Sequence, residues 1–195
     1  MMRTAEIARQ TLETKIELTL NLDGEGKAEV ATGIGFLNHM LVLLAKHAFL
    51  DLTAKASGDL EVDSHHTVED CGIVLGQALK KAVGDKTGMH RYGSCFLPMD
   101  EALAHVVLDF SGRPFLVWQA EIPKVNLGNL EAEMVEEFFR AVAAESGMTL
   151  HVRLLYGRNT HHIIEAIFKA FARALAEGVA IDSRVKGVMS SKGKL

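Results

Sequence analysis

The chain has 195 residues, of which 48% are hydrophobic and 24% charged, with a formal net charge of −4. That size and balance fit one soluble globular domain or two small packed halves and argue against disorder; the mild acidity, with basic residues scattered except near the C-terminus, argues against a nucleic-acid partner. No apolar run reaches the length of a membrane span, and the start, MMRTAEIARQ, lacks the apolar core of a secretory signal, so a cytoplasmic protein with no membrane partner is expected.

From Glu13, ETKIELTLNLDGEGKAEV reads as an alternating strand, a DG turn and a second strand, the pattern of a β-hairpin. NHMLVLLAKHAFLDLTAKASGDLEV then reads as a helix followed by a short strand. DSHHTVED opens a second helix, with Asp63 or Ser64 as its N-cap, which continues through CGIVLGQALKKAV at helical apolar spacing. Residues 84–98, GDKTGMHRYGSCFLP, are rich in turn residues and mark a boundary. Beyond it the order recurs: EALAHVVLDFSGRPFLVW from Glu101, EEFFRAVAAESGMTLHVRLLYGR, NTHHIIEA capped by Asn159 or Thr160, and AIFKAFARALAEGV. Glu13 and Glu101 each lie 11 residues before a glycine, Gly24 or Gly112; His39 precedes His65 by 26 positions and Glu137 precedes His161 by 24.

The expected fold is therefore α+β. It duplicates a strand–strand–helix–strand–helix half about a pseudo-twofold axis, with helices packed between two small mixed sheets. Residues 1–88 are the first half, 89–182 the second, and 183–195 a polar, mobile C-terminal tail.

Two adjacent histidines followed three and four residues later by glutamate can be a solvated helix start or a metal site. On a helix, residues four apart share a face, so His65 with Glu69, and His161 with Glu165, can bind one ion each. The neighbouring His66 and His162 point about 100° away and should serve a second ion. The repeat suggests a crossed arrangement: His65 and Glu69 with His162, and His161 and Glu165 with His66, with His39 and Glu137 completing one set each. Such nitrogen and oxygen donors suit Mn²⁺, Fe²⁺ or Zn²⁺. Two copies at equivalent repeat positions favour the metal reading over chance. Cys71 and Cys95, outside any CxxC spacing, are expected as free thiols, and Cys71 as a packing residue.

At these residues the chain resembles the imidazoleglycerol-phosphate dehydratase family, through GFLNHML, DSHHTVEDCGIVLG, RYGSCFLPMDEAL, DFSGRPF, LHVRLLYGRNTHHIIEAIFKAFARAL and SSKGKL. The resemblance spans nearly the whole chain and implies a ribosomal protein S5 domain 2-like fold. It further implies a hydro-lyase of histidine biosynthesis that uses two Mn²⁺ per active site. One ion would take His39, His66, His161 and Glu165; the other would take His65, Glu69, His162 and Glu137, where some relatives carry histidine. The ligands would come from more than one subunit of a twenty-four-subunit homo-oligomer.

The resemblance assigns proton transfer to Glu13, which by itself also reads as an exposed strand-edge carboxylate, and gives Glu165 a place in the catalytic centre. Glu101, its repeat partner, is expected to be structural. Arg91, Arg113, Lys169, Ser190, Ser191 and Lys192 match the substrate's phosphate pocket, although each arginine alone fits a surface ion pair and SSKGKL a disordered end. His47 matches a substrate position or caps its helix. Val42 and Leu43 replace residues that are polar in many relatives. His90, His105 and His151 read as ordinary histidines. A dinuclear hydrolase, a non-catalytic metal-binding or self-assembling protein, and an RNA-binding module are the alternatives; the phosphate constellation opposes the second and the acidic balance the third.

Overall fold

In the computed structural model, residues 3–195 are described. The first half comprises β1 (Thr4–Gln10), β2 (Thr14–Asn21), β3 (Ala28–Ala31), α1 (Gly35–Ala48), β4 (Asp51–Gly58) and α2 (His65–Val83). The second comprises β5 (Tyr92–Met99), β6 (Ala102–Asp109), β7 (Phe115–Gln119), the short pair β8 (Asn126–Leu127) and β9 (Leu130–Glu131), α3 (Met134–Ser146), β10 (Thr149–Tyr156) and α4 (Thr160–Val179). The α+β class and the duplicated plan hold, and each half carries one more strand at its front than the sequence pattern announces. Strand β1 buries only Ala5 fully, so its alternation is faint. Strand β5 contains Gly93 and Pro98, which read as turn residues; a Cβ at Gly93 would lie 1.8 Å from the Ala174 carbonyl oxygen, so this strand can lie against α4 only with glycine there.

The strand orders are β1-β2-β4-β3 and β5-β6-β10-β7. The expected hairpins after Glu13 and Glu101 are therefore not formed: β4 lies between β2 and β3, and β10 between β6 and β7. The cause sits at the head of each inserted strand. Asp51 of β4 accepts hydrogen bonds from the backbone N–H groups of Glu25 (2.9 Å) and Lys27 (3.0 Å), tying the Asn21–Ala28 link to itself. In the second half, Thr149 of β10 is bonded to Ser111 at 3.1 Å. The true hairpins are β1–β2 and β5–β6, both antiparallel.

Strand β2 shows why one face is buried: Thr14, Ile16, Leu18 and Leu20 point inward while Lys15, Glu17 and Thr19 are exposed. Helix α2 packs on the first sheet and α4 on the second, α2 crosses α3, and α1 crosses α4, so the helices fill the space between the sheets. Phe138, Phe139, Phe168 and Phe171 form the aromatic centre of this layer, each fully buried. The crossings place α1 beside the start of α4, and α3 beside the start of α2. No helix among the described residues is long and apolar enough to cross a membrane.

The C-terminal tail, expected to be mobile, makes hydrogen bonds to the body of the chain. The Gly88 N–H donates to Gly187 (2.8 Å), the Asp182 N–H donates to Gly88 (2.8 Å), and the Arg91 guanidinium donates to the Met189 carbonyl (2.8 Å). Backbone partners, invisible in a polar sequence, hold it.

Candidate active site

Both HisHis pairs open a helix. Asn159 caps α4, accepting from the N–H groups of His161 (2.9 Å) and His162 (3.3 Å). At α2 it is Asp63 that accepts the His65 N–H, at 2.8 Å, while the Ser64 hydroxyl turns away to Glu131. Each pair then splits, as adjacent helical residues must.

His161 faces α1. Its Nε2 lies 3.1 Å from Glu165 Oε2, and His39 Nε2 lies 3.4 Å from the same oxygen. One donor atom from each of His39, His161 and Glu165 falls within 4.8 Å of the others. Phe36 sets its ring edge-on to both imidazoles, at centroid distances of 6.4 and 5.0 Å, walling one side of the cluster. Burial pushes the Glu165 carboxyl up, but the Lys169 ammonium bonded to Oε1, with the two imidazoles, brings it below its ordinary value. A charged carboxylate and two imidazoles converging on one point form a donor set suited to a borderline divalent cation.

His65 faces the other crossing. Its Nε2 is 3.7 Å from Glu69, and with Glu137 it lines a cleft of about 470 Å³ against α3. Glu137 is held by Arg140 at 3.3 Å. This is the repeat image of the first cluster, in a more open state.

His66 and His162 lie in neither cluster of their own chain. His66 Nδ1 bonds Asp59 at 2.9 Å and approaches Glu13 at 3.9 Å. His162 Nδ1 bonds Glu101 at 2.7 Å, and its Nε2 is 3.8 Å from Asp100. A carboxylate on Nδ1 fixes the ring and leaves Nε2 as the free donor, the arrangement that orients ligating imidazoles. It also raises both imidazole pKa values, through Asp59 and Glu101 first. Asp59, at the end of β4, has no counterpart signal in the sequence and was not anticipated.

The repeat-related glutamates differ sharply. Glu101 accepts backbone N–H groups of Asn159 (2.7 Å) and Arg158 (3.0 Å) besides His162, and these donors hold its carboxyl at about 2. It is fully committed to structure. Among the described residues Glu13 has only the distant His66 contact, and its side chain is 55% exposed. Of the two, only Glu13 leaves its carboxylate open to a ligand.

The expected phosphate residues fall in two places. Lys169 sits beside Glu165 on α4, and His47 lies close by, its pKa lowered by burial and then by the charges of Lys169 and Arg173. Arg91 lies elsewhere: its N–H bonds the Gly178 carbonyl at 3.0 Å, 13 residues beyond Glu165 and so about 20 Å further along the chain's helical rise. Its guanidinium is engaged by Asp109, at 2.6 and 3.0 Å, and by Met189 of the tail. Arg113 is exposed. The tail bearing Ser190, Ser191 and Lys192 runs past its loop, where a Cβ built on Gly112 would lie 3.5 Å from the Leu195 carbonyl carbon. Within one chain, then, the arginine end and the histidine cluster are separate.

Cys71 and Cys95 are free, and burial followed by the Asp70 charge pushes the Cys71 thiol up to about 12, which removes it as a nucleophile. His105 stacks on Phe96 with ring centroids 3.7 Å apart and bonds Ser94, apart from the clusters.

The family model for imidazoleglycerol-phosphate dehydratase matches residues 32–175. A protein of that name from Acetivibrio thermocellus is 61% identical over 195 residues, covering 100% of both chains. One from Clostridium novyi is 62% identical over 185 residues, covering 95% of this chain and 94% of its own. The crystal structure of imidazoleglycerol-phosphate dehydratase from Staphylococcus aureus superposes with a TM-score of 0.83 at 44% identity, covering 92% of this chain and 99% of that one. The Pyrococcus furiosus structure, in complex with (S)-C348, also gives 0.83, at 34% identity, covering 97% and 100%. With the matched span enclosing the helix starts, both HisHis pairs and the glutamates beside them, the chain belongs to the imidazoleglycerol-phosphate dehydratase family.

Proposed function

We propose that this chain is a hydro-lyase of L-histidine biosynthesis that converts imidazole glycerol phosphate to imidazole acetol phosphate and water, with two Mn²⁺ per active site. The observation that carries the reading is the convergence of His39, His161 and Glu165 beside Lys169, in a full-length match to the family. His39, His66, His161 and Glu165 would hold one ion; His65, Glu69, His162 and Glu137 would hold the other. When bound, the ions supply Lewis acidity and a template for the two ring nitrogens of the substrate.

The chain's own groups do the rest. Glu13, half exposed beside His66, takes the proton from the second carbon away from the imidazole ring, while the hydroxyl on the carbon next to the ring leaves as water; the resulting enol becomes the ketone. Lys169, Arg113, Arg91 and the tail residues Ser190, Ser191 and Lys192 bind and orient the phosphate, with His47 at the substrate's edge. Arg91 would keep Asp109 as the partner that fixes its fork while the tail carbonyl gives way.

His66 and His162 point away from the clusters that lack a fourth donor, and Arg91 lies at the far end of α4 from the cluster of His39, His161 and Glu165. A second copy supplying these groups completes each site, which supports a homo-oligomer, proposed as a 24-mer with metal at subunit interfaces. Its setting is the reducing cytoplasm, where free Cys71 and Cys95 persist.

The test is turnover of imidazole glycerol phosphate by metal-stripped protein with and without Mn²⁺, following metal content and particle size in the same samples. Mn²⁺-dependent product with growth to a large particle is expected. Metal uptake without turnover would overturn the dehydratase reading and leave the ligand clusters standing.

A further inference from the structure

Resting on the dehydratase reading, we propose that Asp70 and Arg9 form a latch that positions Glu13, with Thr14 as its contact point. Asp70 is 7% exposed, on α2, one residue after Glu69. Its Oδ1 accepts the Arg9 Nε–H at 2.9 Å from the end of β1, and its Oδ2 accepts the Thr14 hydroxyl at the start of β2. Between them the β1–β2 turn is closed by Thr11, whose Oγ1 accepts the N–H groups of Glu13 (3.1 Å) and Thr14 (2.9 Å) and meets the Thr14 hydroxyl at 3.2 Å. Glu13 thus sits on a turn whose two sides are both bonded to a single buried carboxylate.

The helix supplies the alignment. His66 and Asp70 are four residues apart and share one face of α2. Glu13 approaches His66, and Thr14 bonds Asp70, so the Glu13–Thr14 dipeptide docks along that face. The latch fixes the depth and angle at which the Glu13 carboxylate, with no other partner among the described residues, meets the imidazole beside it.

The repeat provides a built-in comparison. Sequence spacing makes Asp70 equivalent to Ala166 and Thr14 to Ala102, and the strand registers, with Arg9 opposite Ile16 and Leu97 opposite Ala104, make Arg9 equivalent to Leu97. The second half therefore has apolar residues at all three latch positions. Its glutamate, Glu101, is held instead by direct bonds to its own oxygens. One half immobilises its glutamate by spending the carboxylate's lone pairs. The other immobilises the backbone around it and keeps the carboxylate available for a ligand. A fold-wide structural need would be served in both halves; the latch exists only where the free glutamate is.

Asp70, Arg9 and Thr14 are positioning residues, and their loss should appear in kcat. A misplacement of the order of 1 Å can cost about 10²-fold in rate. Thr14→Val and Asp70→Asn are close to isosteric and are compared with Thr14→Ser, which keeps the hydroxyl, and with Glu13→Gln, all as assembled holoproteins. Expected are kcat losses of about 10²-fold in Thr14→Val and Asp70→Asn, with KM, metal content, particle size and melting temperature near wild type, and recovery toward wild type in Thr14→Ser. Normal kcat in both variants while Glu13→Gln is inactive would overturn the latch, as would a rate loss that tracks metal loss or disassembly. If the wild type itself fails to turn over the substrate, the dehydratase reading falls. The latch is then judged by a crystal structure of Thr14→Val, in which an unmoved turn at residues 11–14 overturns it.

Discussion

Gly72→Ala tests whether the α2–α3 crossing places Glu137 opposite His65 and Glu69. A Cβ at Gly72 would lie 2.6 Å from the Phe138 carbonyl oxygen and 2.9 Å from Ala141 Cβ. The first neighbour is backbone and cannot rotate aside. Restoring an ordinary carbon–oxygen separation, about 3.3 Å, requires the helices to part by about 0.7 Å. The carbonyl belongs to the residue after Glu137, so the displacement acts at the ligand position. Under the proposed two-metal reading, where metal–ligand distances must hold to about 0.2 Å, the His65, Glu69 and Glu137 cluster should lose its ion, whereas His39, His161 and Glu165 at the α1–α4 crossing would keep theirs. Stability falls by no more than about 2 kcal/mol, since overpacking costs about 1–3 kcal/mol and removal of a helical glycine returns about 1 kcal/mol. Metal analysis of the purified oligomer, with denaturant unfolding, is the assay. The expected result is half the wild-type metal per chain, with tighter retention of the remainder. Wild-type metal content at wild-type affinity would refute the assignment of Glu137 to a site set by this crossing.

Phe139→Ala should cost about 3–5 kcal/mol, because its fully buried ring is packed among Phe138, Phe168, Phe171 and Trp118; denaturant midpoints measure it, and a loss under about 1 kcal/mol would mean that this layer does not hold the helices. Glu101→Gln tests linkage in metal-stripped protein. The Glu101 carboxyl is held at about 2 against an ordinary 4.5, so its contribution is fully present above about pH 4.5 and is lost as pH falls through about 2. The gap in melting temperature between variant and wild type should therefore be constant above that range and close below it; a gap that persists at pH 2 would show that the carboxylate's charge is not its source. Asp182→Ala should release the tail, since Asp182 joins Arg184 (2.6 Å) and His90 (3.4 Å), and limited proteolysis should then cut after Arg184 and Lys186 faster than in wild type.

The parts of the fold that sequence made legible are those governed by period and spacing. The two HHxxE strings lie at helix starts because Asp63 and Asn159 act locally, through bonds spanning two or three residues. The repeat placed α1, β4 and α2 against α3, β10 and α4. What stayed hidden was set by partners distant in sequence. Strands β2 and β3 look like a hairpin until Asp51 brings β4 between them. Strand β5 looks like a linker because Gly93 and Pro98 read as turns, when the glycine is there for a helix to pass. Asp59 and Asp70 give no local sign, being single carboxylates whose partners lie 7 and 61 residues away. Arg91 on its own reads as an ion-paired arginine, which its bonds to Asp109 match, but its further bond to the tail carbonyl has no local sign.

Duplication explains why adjacent histidines are used at all. In each half the first histidine turns to a helix packed against its own, α3 for His65 and α1 for His161, because that is where the crossing brings a side chain. The second histidine, about 100° round the helix, cannot reach the same point. It turns instead to the loop glutamate, Glu13 or Glu101, and a carboxylate holds its Nδ1. A chain built this way offers two incomplete clusters and two oriented single imidazoles. Under the proposed reading, the same stereochemistry that prevents one chain from closing a site would give every copy something to donate and something to receive. Under the proposed dehydratase reading, assembly and catalysis then depend on the same bonds: a substitution such as His66→Ala removes a donor from a neighbour's centre and leaves its own chain's cluster of His39, His161 and Glu165 intact. Mixing stripped His66→Ala chains with stripped His39→Ala chains should restore turnover in part, because some centres then receive both missing ligands from the copies that retain them. An absence of any recovery, with mixed particles formed, would place all four ligands on one chain.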